Sequence, residues 1–280
     1  MKYLVQTNNI TEEKNKDLDY GRVILNKEDN SVYLLGYGWK FKWIDLGLPS
    51  GTLWMDRNIG AEKPEDGGLF FAWGETQGYT ADEVGTKKNF DWKDYKYANG
   101  SNIKLTKYCN DSDYGNDGFT DNLTELELSD DAAYAYTNGK AKMPTKEQVV
   151  ELMKETDVYL IKADGTEVHG TYAEYHESYD EYMISWDSDI DSSEKLSGIE
   201  FRRKSDNNIK VFVPAVGIAN KGSVGGVGLG SNLWSSSLDD VTIDPDFPWT
   251  FGLSYADCQF IVWDDGCPRC KGQSVRGVKV

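Results

Sequence analysis

The chain has little of the material from which most catalytic centres and covalent frameworks are made. Its 280 residues include two histidines, four cysteines and seven prolines. His169 and His176 lie close together, but no G-x-S-x-G nucleophile context accompanies them, so a hydrolase triad has no support. Cys109, Cys258, Cys267 and Cys270 are too few and too unevenly placed for a disulfide framework in a chain of this length. Cys267-Pro268-Arg269-Cys270 is a CxxC knuckle without a second ligand pair at zinc spacing. It also lacks the strand-to-helix context of a thioredoxin-like motif. The glycine run from Gly222 to Gly230 contains no P-loop Lys-Ser/Thr and reads as a turn before the strand of Trp234.

Basic charge is also scarce. Thirty Lys and Arg face 47 Asp and Glu, a net charge of −17, which argues against nucleic acid or an anionic membrane face as partner. Cations or neutral polar ligands fit better. No apolar run approaches the length that spans a bilayer, so no membrane insertion is expected. Met1 to Thr7 has too short an apolar stretch for a signal peptide. The chain is expected either to stay where it is made until cell lysis or virion assembly, or to have had a leader removed.

What the chain does have is glycine and large aromatics: 28 Gly, 9 Trp and 17 Tyr, a balance that favours β-rich or α+β architecture over a helical bundle. The last fifty residues are the most patterned. Trp249, Phe251 and Leu253 alternate with Thr250, Gly252 and Ser254, the period-2 signature of a strand with one buried face. Phe260 and Val262 alternate with Ile261 and Trp263 in the same way. Between these pieces stand side chains with no evident structural purpose, among them Leu238, Asp239, Asp240, Tyr255, Asp257, Asp264, Asp265, Cys267 and Pro268. A regular frame interleaved with arbitrary side chains is the pattern of a recognition surface.

Earlier segments supply a scaffold. Arg22–Leu25 and Val32–Leu35, separated by a turn-forming Asn26–Asn30, predict a β-hairpin within an appendage at 1–42, and the polar 7–19 stretch before it reads as a loop or arm. Thr145 with Gln148 forms a capping box, and Val149, Leu152, Met153 and Thr156 share one face, which predicts a helix over 145–156. A shorter helix is expected over 129–137, begun by Ser129 or Asp130 and stopped at Asn138-Gly139. Lys210 to Val213 reads as a strand ended by Pro214. Residues 164–195 read as an insertion: Tyr172, Tyr175, Tyr179 and Tyr182 have helical spacing, yet their alternation with acids also suits an exposed loop. An ordered surface element that joins the binding face is the expectation. Asp111, Asp113, Asn116, Asp117 and Asp121 have the composition of a calcium loop, but Asn122 stands where an EF-hand needs its acid, so no metal site is assigned. Calcium is the one ion the composition leaves open.

A run of motifs carries a resemblance. Asp45-Leu46-Gly47-Leu48-Pro49-Ser50-Gly51-Thr52-Leu53-Trp54 is followed by Asn58, Gly60-Ala61, Pro64-Glu65-Asp66-Gly67 and Phe71-Ala72-Trp73-Gly74-Glu75-Thr76. Later come Met143-Pro144-Thr145 and Val211-Phe212-Val213-Pro214-Ala215. In this order they resemble a group of proteins of gut Bacteroidetes and their phages with a C-type-lectin-like fold, related to the Fibrobacter major paralogous domain and more distantly to the formylglycine-generating-enzyme fold. The resemblance covers roughly 43–280. It departs from the family at 139–143, where Gly-Lys-Ala-Lys-Met replaces a Trp-Arg-Met run. The tail, Trp234-Ser235-Ser236-Ser237 through Gln273-Ser274-Val275-Arg276, is similar to the variable region of proteins targeted by diversity-generating retroelements, in which framework codons persist while adenine-rich codons scatter.

The resemblance implies an α+β, C-type-lectin-like domain over 43–280, with two helices packed on antiparallel sheets, a variable region at 234–276 and the insertion at 164–195. It implies a scaffold of Trp234, Trp249, Phe251, Leu253, Val275 and Arg276. The variable, ligand-binding positions it implies are Leu238, Asp239, Asp240, Thr250, Gly252, Ser254, Tyr255, Asp257, Trp263, Asp264, Asp265, Cys267 and Pro268. The expected function is non-catalytic recognition of a protein or glycan ligand on a cell surface, without cofactor. The rival is an enzyme or metal-binding module of the formylglycine-generating type, built on Cys258, Cys267 and Cys270.

Overall fold

The tail contributes strands to three different sheets. In the computed structural model, Ser231–Leu238 (β15) pairs antiparallel with Pro248–Leu253 (β16) and parallel with Gln273–Ser274 (β18). Phe260–Val262 (β17) joins a second sheet, and Val278–Lys279 (β19) a third. The structure describes residues 4–7, 22–26, 32–35, 41–175, 181–188, 190, 194–238, 248–253, 260–262 and 267–280. For 4–35, 174–175, 181–183 and 248–262 it describes strand placement only.

Four sheets account for the described strands. The first is N-terminal: Arg22–Asn26 (β2) and Val32–Leu35 (β3) form the expected antiparallel hairpin. Leu4–Thr7 (β1) adds a parallel strand beside β2, within a stretch whose sequence gave no strand expectation beyond a loop or arm from residue 7. The second sheet has six strands. It contains Thr156–Lys162 (β8), Glu167–Tyr175 (β9), Glu181–Trp186 (β10), Leu196–Arg203 (β11) and Asp206–Pro214 (β12), in the order β12-β11-β8-β9-β10-β17. The third runs from Ser223–Val227 (β14) through Val216–Asn220 (β13), β15 and β18 to Phe70–Phe71 (β6), with β16 alongside β15. The fourth combines Trp43–Asp45 (β4), Leu53–Met55 (β5), β19 and Ala141–Lys142 (β7).

Two α-helices complete the described residues, so the fold is mostly β and compatible with an α+β class. Ala132–Tyr136 (α1) starts later than the sequence suggested. Asp131 adopts extended backbone and caps the helix by accepting from Tyr134 N at 2.9 Å, which cuts off Leu128–Asp130 as a separate 3-10 turn. Asn138 and Gly139 then leave the helix with positive φ, as expected. Lys146–Glu155 (α2) has the reciprocal Thr145–Gln148 cap and buries Val149, Leu152 and Met153. Thr156 is already the first residue of β8.

Within the 164–195 segment, β9 and β10 pair antiparallel. The helical spacing of its tyrosines loses to the strand alternation of Val168, Gly170 and Ile184, all buried toward the core. Gly170 permits the close approach: a Cβ there would stand 2.2 Å from Ile184 Cγ2. On its outer side β10 pairs with tail strand β17 through Tyr182↔Val262, Met183↔Ile261 and Ile184↔Phe260.

β15 runs between two hydrophobic clusters. Trp234 packs into one with Phe71, Trp73, Tyr108 and Val275; Leu233 packs into the other with Leu152, Phe201 and Val278. Adjacent residues of one strand thereby anchor two cores. Among the described residues, no helix is long and apolar enough to cross a membrane.

Candidate functional site

The tail is gripped at both ends. At its start, Trp234 Nε1 donates to the Phe71 carbonyl at 2.6 Å and Trp73 Nε1 donates back to the Ser235 carbonyl at 2.9 Å. Tyr95 Oη donates to the Trp73 carbonyl at 2.9 Å. The three serines that follow Trp234 are buried, which explains why short hydroxyl side chains stand in this strand. Ser236 Oγ donates to Glu125 Oε2 at 2.8 Å, Ser237 Oγ donates to the other carboxylate oxygen, and Lys146 N donates to Ser237 Oγ at 3.2 Å. Backbone bonds from Ser236 N to Pro144 O and from Leu126 N to Ser236 O complete the clamp.

At the other end, Arg276 is wholly buried. Its Nε and Nη2 donate to Asn58 Oδ1 at 3.0 and 2.7 Å, and Nη1 donates to the Phe212 carbonyl at 2.8 Å. Burial pushes this guanidinium down to about 9, against the attraction of Asp56. Ile59 N and Met55 N donate to the carbonyls of Val275 and Gly277. Arg269 is equally buried: Nη1 reaches the Tyr108 carbonyl at 2.7 Å, and its guanidinium lies 5.4 Å from the Trp73 ring centroid. The frame therefore unites the Asn58 and Phe71–Trp73 motifs with both ends of the tail.

The scaffold positions Trp234, Val275 and Arg276 are all buried at 0% exposure. Trp249, Phe251 and Leu253 fall on alternate positions of β16, with Phe251 opposite Leu233 and Leu253 opposite Ser231. Of the expected variable positions, Thr250 and Gly252 occupy the intervening places, opposite Trp234 and Asn232. Leu238 and Cys267 are each only 8% exposed and belong to the Trp234 cluster. Leu238 N is also bonded to the Thr124 carbonyl, because β15 extends through it before the chain departs. Pro268 is half-buried. Asp239, Asp240, Ser254, Tyr255, Asp257, Trp263, Asp264 and Asp265 lie outside the described residues.

Comparison with family models, with curated proteins and with solved structures gave no match.

Cys267 and Cys270 are free and buried, and burial raises both thiols, Cys270 to about 12. Cys258 lies outside the described residues. Among the described residues no three of His, Cys, Asp and Glu come together as a metal set. Asp121, in the calcium-like loop, spends its carboxylate on the N–H groups of Tyr108, Cys109 and Leu123. His169 Nδ1 sits 2.9 Å from Asp187 Oδ2 on the outer hairpin, and His176 is not described.

Two contributors and one pairing have no signal in the sequence. Glu125 carries no motif that would link it to Ser236 and Ser237. Arg269 sits inside the CxxC knuckle, where the cysteines draw attention away from it. Asn58 was legible as a motif residue, but its pairing with Arg276 was not.

Proposed function

We propose that this chain is a non-catalytic recognition protein of C-type-lectin-like fold, which presents a diversified tail surface on a fixed frame. The observation that carries the reading is the double clamp. Trp234–Ser237 and Val275–Gly277 are pinned by buried hydrogen bonds, while the intervening strands β16 and β17 join the margins of two sheets. Side chains between two fixed ends can change without unfolding the core. Tyr255 and Trp263 would supply contact area at low entropy cost, as in antibody paratopes.

Charge favours a basic or neutral polar partner. Segments 164–194 and 238–266 carry ten and seven acids and no Lys or Arg, so the other 30 acids equal the 30 basic residues. The whole net charge of −17 thus resides in these two segments, whose strands β10 and β17 pair. Such a field steers association, at rates that fall as salt rises. The ligand would be a protein or glycan of a cell surface, and the setting a phage virion or a bacterial surface.

The test lies in the encoding DNA. A near-copy of the region encoding 234–276 that differs mainly at adenines, beside a reverse transcriptase gene, is the expected finding. A complete locus without such a copy would sink the diversification reading.

A further inference from the structure

The sequence holds two Asn-Gly dipeptides, Asn99-Gly100 and Asn138-Gly139. Asparagine before glycine is open to self-modification, because glycine has no Cβ to keep its backbone nitrogen away from the preceding side-chain carbonyl. Both asparagines are exposed, and both glycines have positive φ, 78° at Gly100 and 82° at Gly139. What separates the two sites is the nitrogen that has to attack.

Gly139 N is committed. It donates to the Tyr134 carbonyl at 2.9 Å in the turn that closes α1. The Tyr134 ring also crowds it: a Cβ on Gly139 would stand 3.2 Å from the ring's Cζ. Gly100 N, by contrast, donates to no acceptor among the described residues, and a Cβ on Gly100 would meet nothing within 4 Å. The loop around it is held in shape by other bonds. Asn99 N donates to the Lys104 carbonyl at 2.9 Å, Lys104 N to the Ser101 carbonyl at 3.1 Å, and Asn99 Nδ2 to Asn116 Oδ1 at 3.0 Å.

We infer that Asn99 is a deamidation site in the folded protein, while Asn138 is kept intact by its helix cap. Gly100 N attacks Asn99 Cγ and gives up its proton; the Cγ–Nδ2 bond breaks, and Nδ2 leaves with that proton as ammonia. Water then opens the cyclic imide at either carbonyl, which leaves an aspartate or an isoaspartate. In sum, one carboxamide and one water become one carboxylate and one ammonium, with no catalyst or oxidant needed. The product undoes a contact, because a carboxylate has no donor for Asn116 Oδ1. Asn116 cannot turn its own amide in answer without losing the bond from its Nδ2 to Asp117 Oδ2 at 3.0 Å. The tie between the 99–104 loop and the 3-10 turn Asn116–Gly118 is lost, and a negative charge is added beside a turn that already carries Asp117. The site goes beyond the recognition reading, since it lies outside both the tail and the 164–195 segment.

Ageing the full chain in mildly alkaline buffer, folded and in guanidinium, tests this, with peptide mapping by mass spectrometry and an isoaspartate methyl-transfer assay as readouts. In the folded chain Asn99 should convert and Asn138 should lag by about tenfold or more, the factor that one hydrogen bond imposes on a rate. In guanidinium the two rates should converge, because the cap is gone. Asn99→Gln, whose longer side chain forms the ring poorly, should leave the position unmodified. Asn99→Asp, which carries the product from the start, should speed hydrogen exchange at the N–H groups of Asn116 and Gly118, which donate to the carbonyls of Leu105 and Gly115. Asn99 left intact in the folded chain, or both asparagines converting there at one rate, would overturn the site. Unchanged exchange in Asn99→Asp would overturn its effect on the turn.

Discussion

Arg202 and Arg276 are both buried, at 9% and 0% exposure, yet they are held by opposite means. Arg202, on β11, is held by carboxylates of β9 and of its own strand and packs on a β8 ring. Its Nε donates to Glu200 at 2.8 Å, its Nη atoms donate to Glu167 at 3.0 and 2.7 Å, and it stacks 4.0 Å from the Tyr159 ring centroid. Burial alone would lower its pKa, but the hydrogen bonds to Glu167 and Glu200 raise it. Arg276, in the tail frame, has an amide oxygen and a carbonyl as its hydrogen-bond partners, and burial depresses it. The outer sheet is thus tied by charge, which salt and acid can loosen. At Arg276 the tail frame is tied by neutral acceptors in a dry interior, where a missing partner is costly and salt has little access.

The contrast is sharpest at Asn58. Asn58→Ala removes the acceptor of two Arg276 bonds and leaves a buried charge short of partners, with an expected loss of about 3–5 kcal/mol. Chemical denaturation would measure it. Adding Arg276→Met to that variant should recover part of the loss, since the orphaned charge goes with it; a double variant less stable than Asn58→Ala would break the argument. Trp234→Phe comes next. It deletes the donor to the Phe71 carbonyl and a ring from a packed core, for an expected loss of about 2–3 kcal/mol in the same assay.

Acid should separate two adjacent aspartates. Burial raises Asp131 to about 6, despite the N–H groups of Tyr134 and Met143 that it accepts. Its folded form holds a proton more tightly than the unfolded chain, so its contribution falls as pH rises from 4 to 6. Burial would raise Asp130 as well, but hydrogen bonds from Lys107, Tyr97 and Tyr108 and the charge of Lys96 hold it at about 2. The stabilisation from Asp130 is complete above pH 4 and is lost as pH falls toward 2. Stability profiles should therefore part in opposite directions: Asp131→Asn flattens the decline between pH 4 and 6, and Asp130→Asn removes part of the acid loss. Profiles that superimpose on wild type would contradict both assignments. The smallest effect belongs to Glu167→Gln. Glu167 is half-exposed, so breaking its pair with Arg202 should cost no more than about 1 kcal/mol and less at high salt.

What the sequence made legible follows from the range of the interactions involved. α2 could be read because its capping box and apolar face are local, and β16 because alternation is local. The start of α1 moved by a few residues because Asp131 reaches forward to Met143 N as well as capping its own helix. The β9–β10 hairpin was masked by tyrosine spacing, and its pairing with β17 depends on a strand far along the chain. The burial of Leu238 and Cys267 in the Trp234 cluster has no local signal in the sequence.

On this reading the frame, and not the exposed residues between its clamps, carries the fold. Replace Ser254, Tyr255, Asp257, Trp263, Asp264 and Asp265 together by alanine and follow thermal unfolding beside Trp234→Ala. The sixfold variant should keep its Tm to within about 4 °C, while Trp234→Ala should lose about 3–5 kcal/mol and unfold well below wild type. A sixfold variant that unfolds as early as Trp234→Ala would contradict it.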